Sequence, residues 1–149
     1  MPSASQWMLC AEGCKALLET ALEAITPPID GANMHIQKTP WKLGNLVAPG
    51  VLIVPVEETN TPVTNKRDDV GHGVGIVIFQ VGNREQTSTK LDNLSDWRDA
   101  AKTALRAKRI TTANCHMIDI EPRVVIDEAA FQNQYDVTSF VARCHVRSL

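Results

Sequence analysis

The sequence predicts an α+β fold in which a mainly antiparallel sheet of four to six strands packs against two α-helices. Two stretches repeat apolar residues at helical spacing, and several others are short apolar or alternating runs of the kind that form strands. The chain of 149 residues fits one domain, 1–149. At this length, folding buries roughly two-thirds of the surface that the unfolded chain exposes.

Composition narrows the classes of protein that we expect. Apolar residues make up 44% of the chain and charged residues 21%, as in ordinary globular domains. A net charge of −2 argues against a surface built throughout for nucleic acid, so any such contact would come from a local patch. The start, MPSASQWMLC, lacks the pattern of a secretory signal. No apolar run approaches the ~20 residues that span a bilayer, so we expect no membrane contact.

The first helix is predicted over residues 7–25, where apolar residues recur with a period of 3.6. Ser3 or Ser5 could cap its start. The pair Pro27 and Pro28 ends it, because neither residue can continue the hydrogen-bond ladder.

The four cysteines are predicted to be structural. Cys10 and Cys14 lie four residues apart on one face of the first helix, whereas Cys115 and Cys144 stand alone in later segments. Structural zinc sites typically combine two closely spaced pairs. We therefore expect reduced, mostly buried thiols and no metal.

Two strands and a long connection are predicted in the middle of the chain. A short strand at Met34 and Ile36 is followed by a strand over residues 51–58, in which Pro55 indicates an edge or a bulge. The polar residues 59–73 are predicted to form a long loop. The next strand, residues 74–81, is apolar on both faces, so it needs cover from a helix on one side and from a second sheet or another subunit on the other.

The second helix is predicted over residues 95–109. Ser95 is the expected N-cap. Asp96 and Asp99 lie in the first turn, where their negative charges interact favourably with the helix dipole. A basic stripe runs beside its buried face: Arg98, Lys102, Arg106 and Arg109. No aromatic residue lies on that stripe, so sequence-specific or stacking recognition of nucleic acid is not expected.

Two alternating strands, residues 116–126 and 137–147, close the chain. The second strand is predicted to direct Arg143, His145 and Arg147 away from the core. Antiparallel pairing would set two pairs of opposite charge directly opposite each other: Asp119 with His145, and Glu121 with Arg143.

One cluster could carry chemistry. Asp68, Asp69 and His72 are metal-ligand residue types, but a metal site needs three or four converging ligands, and no further residue points to them. The glycines of GHGVG match no phosphate-binding motif, and no catalytic signature is present. We predict no enzyme activity, no catalytic residue, no cofactor and no metal. Two alternatives belong to other classes of protein. One is a small metal-dependent enzyme that uses these three residues with His116 or His145. The other is a DNA-binding module that acts through the basic second helix.

The order of elements resembles that of a known family of assembly proteins. Together with the segments RDDVGHGVGIVIFQV, LSDWRDAAKTAL and YDVTSFVARCHVRS, it is similar to tailed-bacteriophage tail-terminator or tail-completion (neck) proteins. The resemblance covers nearly the whole chain in layout. It implies a structural virion protein, made in the host cytoplasm, that forms a homo-oligomeric ring, a hexamer, at the head-proximal end of the tail. No catalytic residue is carried over.

The resemblance also implies partners and contact residues. The ring would terminate the tail tube, bind the tail tube protein and join a head-completion or connector protein. A head-completion or tail-tube subunit is the related alternative. The loop residues expected to contact a neighbouring subunit or the tube are Arg67, Asp68, Asp69 and His72. The basic residues that could face a partner, or the DNA in a central channel, are Arg98, Lys102, Arg106, Arg109, Arg143 and Arg147.

Overall fold

The computed structural model describes residues 5–37, 49–64, 67–81, 88–122 and 135–148. In these ranges it contains two helices, α1 (Gln6–Glu23) and α2 (Ser88–Leu105), and a mixed sheet of five strands. The strands are β1 (Met34–Ile36), β2 (Gly50–Thr64), β3 (Arg67–Val81), β4 (Cys115–Glu121) and β5 (Tyr135–Ser148). The predicted α+β fold with a mainly antiparallel sheet is confirmed.

The sheet has the order β1-β2-β3-β5-β4. Only β1 and β2 run parallel, and the other three neighbouring pairs are antiparallel. β3 is the central strand, paired with β2 on one side and with β5 on the other.

The predicted loop over residues 59–73 is wrong. β2 and β3 form one long antiparallel hairpin whose pairing runs from Gly50↔Phe79 to Thr64↔Arg67. Register shifts between Val56 and Thr59 and between Pro62 and Thr64 interrupt it. Two features explain the difference: the threonines and valines among these polar residues favour strands, and β5 gives β3 a second partner as far as Asp68↔Ser148.

Pro55 lies on an open edge, as the sequence predicts. β1 pairs with β2 only from Val51 to Ile53, and among the described residues no strand pairs with β2 on that side beyond this point. The missing amide hydrogen of Pro55 therefore removes no ladder bond to an outer strand.

Both helices pack on the same face of the sheet. Ser5 caps α1, since its side-chain oxygen accepts a hydrogen bond from the Met8 amide at 3.1 Å. Trp97 of α2 donates from its indole nitrogen to the Pro27 carbonyl at 2.7 Å, which ties α2 to the segment after α1. The helix-side core combines residues from α1, α2 and the sheet, including Leu18, Leu22, Trp97, Leu105, Ile76, Ile78 and Phe140.

The opposite face of the sheet is also buried within the single chain. Leu52, Val77, Phe79 and Val141 are fully buried but do not belong to the helix-side core. The expectation that β3 needs a second sheet or another subunit as cover is therefore corrected, because the chain itself covers both faces of β3.

The second helix begins earlier than predicted. α2 starts at Ser88 rather than after Ser95 and ends at Leu105. The sequence TST at residues 87–89 offers residue types that cap helices as readily as Ser95 does, so the sequence alone does not distinguish the two starts. The chain leaves the helix through Ala107, which has a positive φ of 58°, and Arg109 therefore lies beyond α2.

The remaining predictions for the strands and cysteines have clear outcomes. Val124 and Ile126, predicted on the next-to-last strand, lie outside the described residues, and β4 ends at Glu121. All four cysteines are free and buried, as expected. No helix in the described ranges is long and apolar enough to cross a membrane.

Candidate functional site

The candidate site is the far end of the long hairpin and the residues that fix its base. We define the distal hairpin as residues 59–64 of β2 and 67–71 of β3, with the sequences TNTPVT and RDDVG. Its inner strand pairs with β5, whereas its outer strand has no further strand beside it in the described part of the chain. An open edge of this kind can pair with another chain.

Arg143 joins four strands at the base of the distal hairpin. The residue, on β5, is only 3% exposed. Its Nε and Nη2 donate to the two carboxylate oxygens of Glu121, on β4, at 3.0 and 2.9 Å. Its Nη1 donates to the backbone carbonyl of Glu57, on β2, and lies 3.4 Å from the Gly71 carbonyl, on β3. A two-pronged contact of this type fixes direction as well as distance.

Gly73 makes this crossing possible. A Cβ atom at this position would lie 2.9 Å from each of three atoms: Arg143 Nη1, the Glu57 carbonyl oxygen and Val56 Cβ. The Trp7 indole of α1 donates to the Gly73 carbonyl at 2.7 Å. The backbone at Gly73 is therefore held both by α1 and by the strands beside it.

Both predicted charge pairs form contacts between β4 and β5, but the predicted register, with the partners directly opposite each other, is wrong. His145 Nε2 lies 2.7 Å from Asp119 Oδ2, and Arg143 contacts Glu121 as described. The contacts run diagonally across the ladder, because the residue directly opposite Asp119 is Arg143 and the residue opposite His145 is Met117. The two pairs continue the polar network from the hairpin base to the β4 edge.

The three candidate metal-ligand residues are spread along β3, where about 3.3 Å of rise per residue separates the Cα atoms of Asp68 and His72 by about 13 Å. The side chains of Asp68 and Asp69 lie outside the described side chains. Across the described residues, no group of three or more His, Cys, Asp or Glu side chains could hold a metal ion.

His72 has a local partner instead. Its Nδ1 lies 3.9 Å from Glu58 Oε2, and Glu58 is largely exposed. Burial lowers the pKa of His72, while the Glu58 carboxylate acts in the opposite direction. The neutral ring is thus favoured in the folded protein.

Arg98, which was predicted as a possible channel- or partner-facing residue, is half-buried and hydrogen-bonded to β5. Its Nη1 donates to Thr138 Oγ1 at 2.7 Å and to the Ser139 carbonyl at 2.6 Å, and its guanidinium carbon lies 5.8 Å from the Phe140 ring centroid. Arg98 therefore anchors α2 to β5. It also lines a shallow, open cavity of about 280 Å³ with Leu94, Ser95, Val137 and Thr138.

Arg143 was likewise predicted to face outward, and its burial corrects that. The alternation along β5 does direct it away from the helices, but the chain covers that face, and its charge is paired within the sheet. The burial of Arg143 therefore contradicts its predicted outward position, whereas a partner-facing role for the half-buried Arg98 stays a prediction.

The other basic residues lie where a partner could reach them. We define the basic turn as residues 106–109, with the sequence RAKR; Arg106, Lys108 and Arg109 are exposed, and Lys102 before them is half-buried. The Ala107 amide donates to the Ile118 carbonyl at 2.9 Å, so the basic turn lies beside β4.

Two of the contact residues are placed by backbone alone. Arg67 begins β3 at the hairpin end, and Arg147 pairs with Asp69 across β3 and β5. Nothing is described of four side chains in this region: Arg67, Asp68, Asp69 and Arg147.

Gly73 and Glu57 also belong to this site, although neither was predicted from the sequence. A glycine inside a strand marks a close approach of other groups, and that signal was present in the segment GHGVG. Glu57 contributes a backbone carbonyl, which no sequence pattern reports.

No protein-family model matches the chain, and no curated protein sequence matches it.

Proposed function

We propose that this chain is a structural virion protein that assembles head to tail into a ring at the head-proximal end of a phage tail. The observation that carries the proposal is the contrast between the two edges of the sheet. One edge is the outer strand of a long hairpin whose base is fixed by Arg143, and the other edge is β4 with the basic turn beside it. Such dissimilar edges suit a heterologous contact, which is the kind that closes rings.

Exposed charge differs between the two edges. On the β2 side, Glu57 and Glu58 are both exposed at the base of the distal hairpin. On the β4 side, the exposed residues of the basic turn are Arg106, Lys108 and Arg109. Opposite charge on facing surfaces steers association and fixes register, so one copy's β2 edge can receive the next copy's basic turn.

The burial of both faces of β3 limits the kind of subunit interface that we propose. Because Val77 and Phe79 are already buried in the single chain, the interface does not have to supply a missing core. We therefore expect subunits that fold before they assemble, joined through edges and hairpins rather than through an open apolar face.

The finer assignments rest on the family resemblance. By that resemblance the ring is a hexamer, terminates the tail tube, binds the tail tube protein and docks to a head-completion or connector protein. Binding of the purified protein to tail tubes would separate this role from that of a head-completion subunit, and incorporation along the whole tube would identify a tube subunit instead.

A charge-swap experiment tests the head-to-tail contact. The variant Arg106→Glu with Arg109→Glu should weaken assembly, measured as the mass of the purified protein by light scattering across a concentration series. Adding Glu58→Lys should restore part of the assembly, because the charges then match again with reversed sign. Glu12→Lys, on the exposed face of α1, is the control and should leave the assembly unchanged.

Two outcomes would contradict the proposal. The wild-type protein could remain a monomer at every concentration and fail to bind tail tubes. Alternatively, the reversed charges on the basic turn could leave assembly unchanged, which would exclude the edge contact proposed above.

A second candidate function, weak electrostatic binding of DNA, is favoured by the exposure of the basic turn. It predicts binding that weakens steeply with salt and is reduced by Arg106→Glu with Arg109→Glu. Arg98 is not part of this test, since it is engaged with β5. Binding that ignores salt, or no binding at low salt, would exclude this function.

A further inference from the structure

Two of the four cysteines lie in direct contact inside the helix-side core. Cys14 lies on α1 and Cys144 lies on β5, and their sulfur atoms are 3.8 Å apart. The two residues are 130 positions apart in the chain, and both are fully buried. Both thiols are free. The fold therefore places two reduced sulfur atoms side by side, although they come from opposite ends of the chain.

The other two cysteines are placed differently. The Cys115 thiol donates to the Met117 carbonyl at 3.3 Å, so it is engaged with the backbone of its own strand. Cys10 lies one helical turn before Cys14 on the same face of α1, a displacement of about 6 Å along the helix axis. Across the part of the chain that the structure describes, no group of three or more His, Cys, Asp or Glu side chains could hold a metal ion. The contact between Cys14 and Cys144 therefore favours a cross-link between two thiols over a metal site.

The two cysteines differ in how firmly their backbone is held. Cys144 pairs with His72 of β3 on one side and with Ile118 of β4 on the other, so hydrogen-bonded strands flank it. Cys14 lies in the middle of α1, which packs on the sheet through side chains. A helix packed in this way opens more readily than a strand that is paired on both sides. Cys14 is therefore the thiol that becomes accessible first.

Small side chains flank the pair on both elements. Ala11 precedes Cys14 by three residues on α1, Ala142 precedes Cys144 by two residues on β5, and both alanines are fully buried. These spacings put each alanine on the same face of its element as the neighbouring cysteine, so α1 can lie close to β5. A disulfide bond is about 2.05 Å long, so the sulfur atoms have to approach each other by about 1.8 Å. Rotation of the two thiols and a small shift of α1 supply this movement.

We propose that Cys14 and Cys144 form a cross-linking site, at which a low-molecular-weight disulfide oxidises the two thiols to a protein disulfide that joins α1 to β5. The site is independent of the proposed assembly function, because it lies in the core of one subunit and involves neither edge of the sheet. A monomeric chain would form the same bond, so the two proposals fail separately.

The reaction consists of two exchange steps, and it starts when α1 lifts locally from the sheet. Because both thiols are fully buried, the oxidant reaches Cys14 only in this opened state. The Cys14 thiolate attacks one sulfur of the small disulfide RSSR and the S–S bond breaks. The departing RS⁻ takes up the proton that the Cys14 thiol released, and Cys14 then carries a mixed disulfide.

The second step closes the protein disulfide. The Cys144 thiolate attacks the Cys14 sulfur, the bond to the RS group breaks, and the second RS⁻ takes up the Cys144 proton. The two protein thiols have lost two electrons, and the small disulfide has gained them as two RSH molecules. Since the core between α1 and β5 is closely packed, an RS group does not fit there. The return of α1 to the sheet therefore favours the protein disulfide over the mixed one.

Oxidation of the folded full-length protein by 2-hydroxyethyl disulfide tests the site. Wild-type protein should lose two of its four free thiols and regain them with dithiothreitol. Mass spectrometry should identify a cross-linked pair of peptides that contain Cys14 and Cys144. The bond closes a loop of about 130 residues and so restricts the unfolded chain. The oxidised protein should therefore melt at least about 5 °C above the reduced protein.

Single cysteine variants identify the two partners. Cys14→Ala and Cys144→Ala should each form no intramolecular disulfide, and the oxidant should not raise their melting temperatures. Cys10→Ala is the matched control, because it removes a fully buried thiol from the same face of α1 one turn away. It should be oxidised and stabilised as the wild type is. Circular dichroism of the reduced variants establishes that they fold, and the peptide map of the wild type tests the site without any variant.

Three outcomes would contradict the cross-linking site. The folded wild type could keep its four free thiols during an exposure that oxidises the urea-unfolded chain. The cross-linked peptides could contain another pair of cysteines. The oxidised protein could melt at or below the temperature of the reduced protein, which would show that the bond does not fit the native fold.

Discussion

The two faces of the sheet are held in different ways. The helix-side face is apolar, with Ile76, Ile78 and Phe140 buried against α1 and α2. The opposite face combines fully buried apolar residues with a buried charge, Arg143, that contacts three other strands. Apolar packing depends on volume and tolerates small shifts, whereas the contacts of Arg143 require one register. We infer that the helix side supplies most of the stability and the other side fixes where the hairpin points.

The largest effect is expected on the helix side. Phe140→Ala removes a fully buried ring and should lower the free energy of unfolding by about 3–5 kcal/mol, because the cavity cannot collapse completely. Urea unfolding followed by circular dichroism measures the change. Phe140→Leu is the control and should lose much less. Equal losses in the two variants would show that this face does not depend on packed volume.

Loss of Arg143 should have the next largest effect. Arg143→Met leaves the carbonyls of Glu57 and Gly71 without this donor and Glu121 without its cation, which should cost about 2–4 kcal/mol. Hydrogen exchange should accelerate selectively in residues 57–71. Arg109→Met, at an exposed position, should change stability by less than about 0.5 kcal/mol. A uniform rise in exchange across the chain would contradict the local role of Arg143.

A substitution at Gly73 tests the close approach between the β3 backbone and Arg143. Gly73→Ala should cost about 1–3 kcal/mol, because its Cβ would press against Arg143 Nη1 and two backbone-anchored groups. In the Arg143→Met background the added cost should be smaller, since one of the three crowded atoms is a guanidinium nitrogen. Thermodynamic additivity of the two changes would show that Gly73 and Arg143 act independently.

The smallest expected effect is the pH dependence of stability due to His72. Burial holds its folded-state pKa below the unfolded value, 6.5, so the unfolded chain binds the proton first as pH falls. The free energy of unfolding therefore keeps its full value, as far as His72 is concerned, above pH 6.5. It declines as the pH falls from there through the folded-state pKa of His72. His72→Gln should flatten this part of the curve of unfolding free energy against pH. An unchanged slope in the variant would exclude the contribution of His72.

Local patterns predicted much of the fold. The period of α1, the cap at Ser5, the short strand β1 and the pairing of β4 with β5 followed from spacing and residue type. The contacts Asp119–His145 and Glu121–Arg143 also followed, because strand alternation and antiparallel pairing leave few choices for charged residues.

Features set by long-range contacts were missed. Residues 59–73 have a polar composition that is typical of loops, yet residues 59–64 and 67–73 form strands, and β5 pairs beside β3 from Asp68 onward. Arg98 has the spacing of a surface residue, but its guanidinium reaches two hydrogen-bond acceptors on β5. The contact between Cys14 and Cys144 depends on how α1 lies on the sheet, which no local spacing encodes.

The most direct test of the proposed head-to-tail ring is negative-stain imaging of the purified protein together with a mass measurement. We expect closed rings of cyclic symmetry and a mass that is a whole multiple of 16.4 kDa, with six copies as the family resemblance implies. Particles without rings, and a single mass of 16.4 kDa at every concentration, would contradict the proposal.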